Sequence, residues 1–411
     1  MSNSSNHIQI FEHQKLLIDN NVFTKTHWEA LVLFNEAHGN KYCSLGHNYI
    51  KWGSYVGVIQ IQNLVIEVLP KVDSFEQKSA LWQSLLIEML FACKKIAVNV
   101  VGAAHQQIGP SSRPSLLHIY FDLFAQELEI LLGKGLVRSY ERATSNSTRW
   151  KGQWQIGKHL NKNIAHKERI YTIQDSYMLE HSIHEVLGQA VLLAIKQAPS
   201  SKLQQQFRQI HRYLPPSNNS KIDWNRVQKL QAMKKFRNYR EVLTIAKLLL
   251  QNYTPNLKAG GYSTLGILFD MNRLFEEYVY RTLNKNSKEI KVSWQPQKKF
   301  WSTKMLRPDI LLEKEDKRWV IDVKWKIPLQ GMPSDNDLRQ IYTYARAFEA
   351  ESGILVYPKV GASKNKAHYF LSDSENEESK GRLLFLNLFE KTENKLNHRL
   401  GQEILALLNI L

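Results

Sequence analysis

The clearest alternation of apolar and polar positions lies between residues 307 and 326. Two short apolar runs, Ile310-Leu311-Leu312 and Trp319-Val320-Ile321, flank the polar segment EKEDKR at 313–318. Short, partly β-branched runs bounded by turn residues predict the two strands of a hairpin. Side chains alternate across a strand, so Asp322, Lys324 and Lys326 are expected on one face and Ile321, Val323 and Trp325 on the other. Upstream, Leu268, Met271, Phe275, Val279 and Leu283 recur at helical spacing and predict a helix over 268–283. Downstream, Leu338, Ile341, Tyr342, Ala345 and Phe348 predict a second helix over 337–349, and residues 353–358 read as a buried strand stopped by Pro358.

The rest of the chain divides by pattern. Residues 1–165 read as a strand-rich α+β region: short apolar runs broken by Gly46, Gly53 and Gly57, then helices over 75–97 and 116–133, the latter closed by Gly133. Residues 166–255 read as mostly helical, with a Pro- and Asn-containing loop at 214–220. A linker at 255–261 then leads into an α/β region, 256–411, which contains an acidic loop at 372–380, an apolar strand over 383–389 and a closing helix over 400–411.

The hairpin carries candidate chemistry. Asp309, preceded by Pro308, lies 13 residues before Asp322, and an antiparallel hairpin of that length returns it beside Asp322. Mg²⁺ is usually held by one or two carboxylates with waters and substrate phosphate completing its shell. Asp309 and Asp322 are candidate carboxylates, and the Val323 carbonyl a further oxygen. Lys324 is placed to orient or deprotonate a water, or to neutralise charge on a phosphorane. A D-x-K triplet alone is common; the Pro-Asp step and the two strands give it weight. Glu276 and Glu277, on the upstream helix, are alternative third carboxylates. Gln340 and Tyr344 form an i, i+4 pair that can face the same site and bind substrate, as can Lys326.

The order helix with Glu, Pro-Asp strand, Asp-x-Lys strand, helix with Gln-x-x-x-Tyr resembles the PD-(D/E)xK nuclease superfamily. Three segments, Met271–Val279, the hairpin, and Asp337-Leu338 running into Gln340-Ile341-Tyr342-Thr343-Tyr344-Ala345, resemble the McrC-type subunit of McrBC methylcytosine-dependent restriction systems. So do residues 55–72 with their Leu-Pro-Lys step, residues 135–140, and Trp150-Lys151-Gly152-Gln153, although the family usually has Arg after that Gly. The resemblance spans about 56–358 and implies a restriction-endonuclease-like C-terminal domain. It favours Glu276 as the helix carboxylate. It also implies a Mg²⁺-dependent DNA endonuclease that cuts modified double-stranded DNA only with a hexameric AAA+ GTPase, the McrB-type subunit, whose hydrolysis the N-terminal domain stimulates.

Composition agrees with such a partnership. The formal net charge is +17 and is spread along the chain, which favours a polyanionic partner. No G-x-x-x-x-G-K-[ST] occurs, and Gly260-Gly261 lacks phosphate-loop spacing, so no nucleotide hydrolysis is expected of this chain alone. The start has neither the basic nor the apolar part of a signal peptide, so cytoplasmic residence is expected. Cys43 and Cys93, the two cysteines, are expected as buried free thiols. His181 and His184 do not have the H-E-x-x-H spacing of zinc proteases. Trp150 and Trp154 read equally as an exposed partner-binding finger or as core tryptophans of a hairpin. The competing functions are a stand-alone nuclease of the same superfamily in repair or mobile-element processing, and a non-catalytic scaffold that binds DNA through its charge.

Overall fold

The structure, a computed structural model, describes residues 6–19, 21–71, 79–95, 115–179, 181–217, 220–255, 261–286, 289–359, 365–369, 380–390 and 395–409. The acidic stretch 372–379, Gly260, Glu180 and most of the expected linker lie outside the described residues. Contacts divide the chain into two compact units, Met1–Gln107 with Thr254–Leu411, and Ile108–Tyr253.

These limits differ from the three consecutive regions expected from sequence, and strand pairing explains why. In the first unit, Asn6–Phe11 runs parallel to Leu64–Leu69, which pairs antiparallel with Tyr55–Ile61. Tyr55–Ile61 also pairs antiparallel with Thr264–Asp270, so a strand beyond residue 260 joins an N-terminal sheet. Gly57 makes that approach possible. Its φ is +140°, and a Cβ there would lie 2.1 Å from the Ile267 carbonyl oxygen. The same pairing corrects the expected helix over 268–283. Leu268 belongs to the strand and packs on the N-terminal core, and the helix is Met271–Asn286. Asp270 marks the change, because its Oδ1 accepts from the Asn272 and Arg273 N–H groups and caps the helix start.

The second sheet of this unit has the order Lys291–Trp294, Ile310–Lys314, Lys317–Val323, Ser352–Pro358, Lys380–Leu386, Lys366–Tyr369. The hairpin expected from sequence is present, with Ile310 opposite Ile321 and Lys314 opposite Lys317. Lys317–Val323 runs parallel to Ser352–Pro358 on its other side. All seven residues of Ser352–Pro358 are buried, as its unbroken apolar run requires. Helix Asp335–Ala347 covers one face through Ile341, Tyr344 and Phe348, which join Leu311, Val320, Leu355, Tyr357, Leu383 and Phe385 in one core. Its start is fixed by a reciprocal capping box between Ser334 and Asp337. The strand expected over 383–389 is Lys380–Leu386, and the last helix is Leu400–Leu407.

The second unit combines helices Leu116–Lys134, Ser182–Gln197, Ser201–His211, Trp224–Ala232 and Arg240–Gln251 with a three-stranded sheet. Helix Leu116–Lys134 runs through Gly133 and stops at Gly135, whose φ is +82°. In the sheet, Ile170–Met178 pairs with Ser139–Ser147 and with Gln153–Trp154, joining residues on both sides of the expected 165/166 boundary. Trp150 is 66 % and Trp154 44 % exposed, so neither is a core residue. Cys43 and Cys93 are both buried. No described helix is long and apolar enough to cross a membrane.

Candidate active site

The hairpin register, extended one step from Ile310–Ile321, sets Asp309 opposite Asp322 at the end of the paired strands. A hydrogen bond fixes this arrangement: the Val323 N–H donates to Asp309 Oδ2 at 2.8 Å. Asp322 is 2 % exposed, at the carboxyl end of a strand that is parallel to its neighbour. Open α/β sheets place ligands at such strand ends. Lys324 follows directly after the strand, held by its N–H donating to the Val356 carbonyl at 2.9 Å.

A polar chain runs out from Asp322. Lys324 Nζ lies 2.7 Å from Asp322 Oδ2 and donates to Gln340 Oε1 at 2.9 Å. Gln340 Nε2 donates in turn to the Tyr344 hydroxyl at 3.1 Å. The i, i+4 pair on helix Asp335–Ala347 is therefore brought to the Asp-x-Lys strand. Tyr344 does so while its ring packs in the core.

The two glutamates of helix Met271–Asn286 separate clearly. Glu277 is held by Lys95 at 2.9 Å and by Arg281 at 2.7 Å. Burial works to raise its carboxyl, but those cations outweigh it and hold it below the ordinary value. Glu276 turns toward the hairpin. Burial first, then the Asp322 charge, push its carboxyl up to about 7. Gln295 Nε2 donates to Glu276 Oε2 at 3.4 Å, and the Gln295 N–H donates to the Asp309 carbonyl at 2.9 Å.

Electrostatically, the site is strained by like charge. Burial, Asp322 and Glu276 together hold the Asp309 carboxyl well above the usual range. Asp322 is also raised, by burial that Lys324 only partly offsets. Burial alone would lower the Lys324 ammonium, but Asp322 and Asp309 hold it raised, so it stands as a cation. Buried carboxylates this close resist joint ionisation unless positive charge is supplied. Two hard-oxygen donors with unbalanced negative charge suit Mg²⁺ as the protein's share of a shell completed by water and phosphate. Among the described residues no group of three or more His, Cys, Asp or Glu side chains is arranged to hold a metal, so Glu276 does not join the two aspartates as a third ligand here.

Lys326 is directed elsewhere. It pairs with Asp337 at 2.6 Å, and Asp337 also accepts from the Tyr357 hydroxyl at 3.2 Å. Three supporting residues were not anticipated. Asp337 was readable from the Ser-x-x-Asp capping pattern. Gln295 and Glu12 had no sequence signal. Glu12 comes from the N-terminal strand region, and its Oε1 accepts from Trp325 Nε1 at 2.7 Å and from the Lys71 N–H at 2.8 Å. It thereby anchors the residue after Lys324.

His181 and His184 form a different kind of cluster. Their rings stack at 4.1 Å. His181 Nε2 lies 2.8 Å from the Val137 carbonyl, and His184 lies 2.6 Å from the Leu179 carbonyl and 2.9 Å from the Tyr239 hydroxyl. Burial and His181 push His184 down to about 4, so it is neutral at pH 7.

A family profile described as "McrBC 5-methylcytosine restriction system component" matches residues 50–358. Among solved structures, the chain is similar to one in the refined half-complex from a tetradecameric assembly of Thermococcus gammatolerans McrB AAA+ hexamers with bound McrC. The TM-score is 0.72 at 17 % identity, covering 99 % of this chain and 100 % of that one. A second similarity is to a chain of the Thermococcus gammatolerans McrBC complex, with a TM-score of 0.50 at 19 % identity, covering 68 % of this chain and 88 % of that one. At these identities the likeness is one of fold. No curated protein matches.

Proposed function

The chain belongs to the McrBC 5-methylcytosine restriction system component family, as its McrC-type member, and from that premise we propose that it is the Mg²⁺-dependent DNA endonuclease subunit of a modification-dependent restriction complex. The observation that carries this reading is the juxtaposition of Asp309, Asp322, Lys324 and Gln340 at one strand end. It is the arrangement expected of a PD-(D/E)xK nuclease.

In this reading Asp309 and Asp322, with the Val323 carbonyl, would hold Mg²⁺. When bound, the ion stabilises charge on the scissile phosphate and acidifies a water. Lys324 acts as an ammonium. It stands where the phosphorane's extra negative charge develops, an electrostatic role that is strongest in a site closed to water. Gln340 fixes the Lys324 amine, and Tyr344 fixes Gln340. Glu276, near neutral pH in its titration, is placed to accept a proton from a water in the site.

In this reading a GTP-hydrolysing AAA+ partner activates the chain, as its membership of a McrBC restriction-system family suggests. The second unit's sheet suits such a contact. Its strands expose Tyr140, Trp154 and Tyr177 and the loop between them exposes Trp150, among Arg142, Arg149, Lys151 and Lys158. Helix Ile156–Lys162 beside them buries none of its residues. Large exposed aromatics mark interaction surfaces.

The test is cleavage of methylated and unmethylated plasmid with Mg²⁺, with and without the partner GTPase and GTP. Cutting only when methylation, partner and GTP are all present is the expected result. Cutting of unmethylated plasmid by the chain alone would replace this reading with that of an independent nuclease.

A further inference from the structure

The antiparallel ribbon that begins at the second sheet does not stop at Asp309. Trp294 pairs with Ile310, and the Gln295 N–H donates to the Asp309 carbonyl. Beyond that point the same two chain segments pair again, as Lys298–Trp301 and Lys304–Leu306. The distal half thus projects from the candidate site, with one leg ending at Leu306, three residues before Asp309. Every residue of Lys298–Trp301 is exposed, as are Lys304 and Met305. Phe300 is 60 %, Trp301 74 % and Met305 49 % exposed. Two strands that cover no core are marginal by themselves in water, and two large exposed aromatics at the end of such a ribbon call for a partner.

Charge says which partner. Residues 298–308 contain Lys298, Lys299, Lys304 and Arg307 and no acidic residue. Lys298 is tied to Glu349 at 3.3 Å. Lys299, Lys304 and Arg307 make no ion pair among the described residues. A second copy of this ribbon would meet it with like charge, whereas a polyanion would not. The pairing slips between Lys299 and Trp301, so Phe300 is the extra residue of a β-bulge. Bulges re-aim side chains and twist a ribbon, and Phe300 at this one is exposed. Four residues of strand span roughly 13 Å, and the major groove, about 12 Å wide, admits a two-stranded ribbon.

We propose that residues 298–307 are a groove-binding ribbon that seats duplex DNA over Asp309 and Asp322. Lys299, Lys304 and Arg307 contact phosphates, and Phe300 and Trp301 contact base edges. This rests on the DNA-cleaving reading above, and the experiment separates the two. The complex is assembled with its GTPase partner on a methylated 40-base-pair duplex, with Ca²⁺ replacing Mg²⁺ to hold the DNA uncut. Trp301→benzoylphenylalanine is photolysed, and binding of Phe300→Ala/Trp301→Ala and of Lys299→Ala/Lys304→Ala is followed by anisotropy across salt concentrations. The expected results are a cross-link to DNA and about ten-fold weaker binding for the aromatic pair. The slope of log affinity on log salt should fall by about 2 for the lysine pair. Unchanged partner GTPase stimulation and melting temperature show that the variants are folded and assembled. A cross-link to protein, or wild-type DNA affinity in both double variants, overturns the proposal. Cross-linking to DNA together with failure of the wild-type complex to cut in Mg²⁺ leaves the ribbon standing and removes the nuclease reading.

Discussion

Two buried titratable clusters in this chain are built on opposite rules. His181 and His184, in the second unit, are stacked, and His184 finds a carbonyl on one nitrogen and the Tyr239 hydroxyl on the other. Burial has removed the His184 charge, and both of its ring nitrogens are satisfied. Asp309 and Asp322, in the first unit, are held together under burial with both carboxyls raised, so the pair resists joint ionisation although the Lys324 ammonium stands beside it. A buried group whose polar atoms are satisfied by packing serves stability; carboxyls that can ionise together only when positive charge is supplied are prepared for something that arrives from outside. Perturbed carboxylates at a strand end are therefore better markers of function than a histidine pair whose perturbation is explained by packing.

That contrast can be broken most readily by substitution. His184→Ala takes the acceptor from the Tyr239 hydroxyl proton and the partner from the Leu179 carbonyl, and leaves a void, so a loss of roughly 3–5 kcal/mol in denaturant unfolding is expected. Asp309→Asn replaces a carboxyl that burial and its acidic neighbours hold raised, keeps an oxygen for the Val323 N–H, and should leave stability unchanged or higher. A larger loss for Asp309→Asn than for His184→Ala would reverse the comparison.

The pH dependence sharpens it. The unfolded His184 titrates near 6.5 and the folded one near 4, so the unfolded state binds the extra proton between those values. Stability from this group is complete above about pH 6.5 and is lost as pH falls toward 4, by roughly 3 kcal/mol in all. His184→Gln should flatten that part of the stability profile measured by urea melts.

A smaller effect concerns the carboxylates. Mg²⁺ at 100 times its dissociation constant should stabilise the wild-type chain by about 2.7 kcal/mol. The rise in melting temperature should vanish in Asp322→Asn and persist in His184→Ala. Equal shifts in all three would place the ion elsewhere.

The smallest effect separates the neighbouring glutamates. Glu277→Gln loses its pairs with Lys95 and Arg281 and should cost about 1 kcal/mol or less with cleavage retained. Glu276→Gln should keep stability and slow cleavage. Exchange of those phenotypes would show that the wrong helix face has been assigned to the site.

How much of this was legible in the sequence depended on range. The hairpin was readable because its signals are local: two β-branched runs, a charged turn, and a fixed separation of Asp309 from Asp322. Its neighbour helix is ambiguous at one end because Leu268 satisfies a helical period as well as a strand, and only pairing with residues more than 200 positions away decides between them. The same long-range pairing hid the true grouping of the chain. Glu12 illustrates the limit for the site. Nothing near it in sequence announces that it will hold Trp325, since the link exists only once the two ends of the chain have folded together. Trp150 and Trp154 stood between two readings until their exposure was known.

The most direct test of the central claim uses Asp322→Ala in the complex assembled with the GTPase partner, with methylated plasmid, Mg²⁺ and GTP. Cleavage and GTP hydrolysis are followed in the same reaction. The account predicts that cutting falls by roughly a thousand-fold or more, as loss of several kcal/mol of transition-state stabilisation requires, while stimulated GTP hydrolysis continues at the wild-type rate. Continued cutting by Asp322→Ala would contradict it.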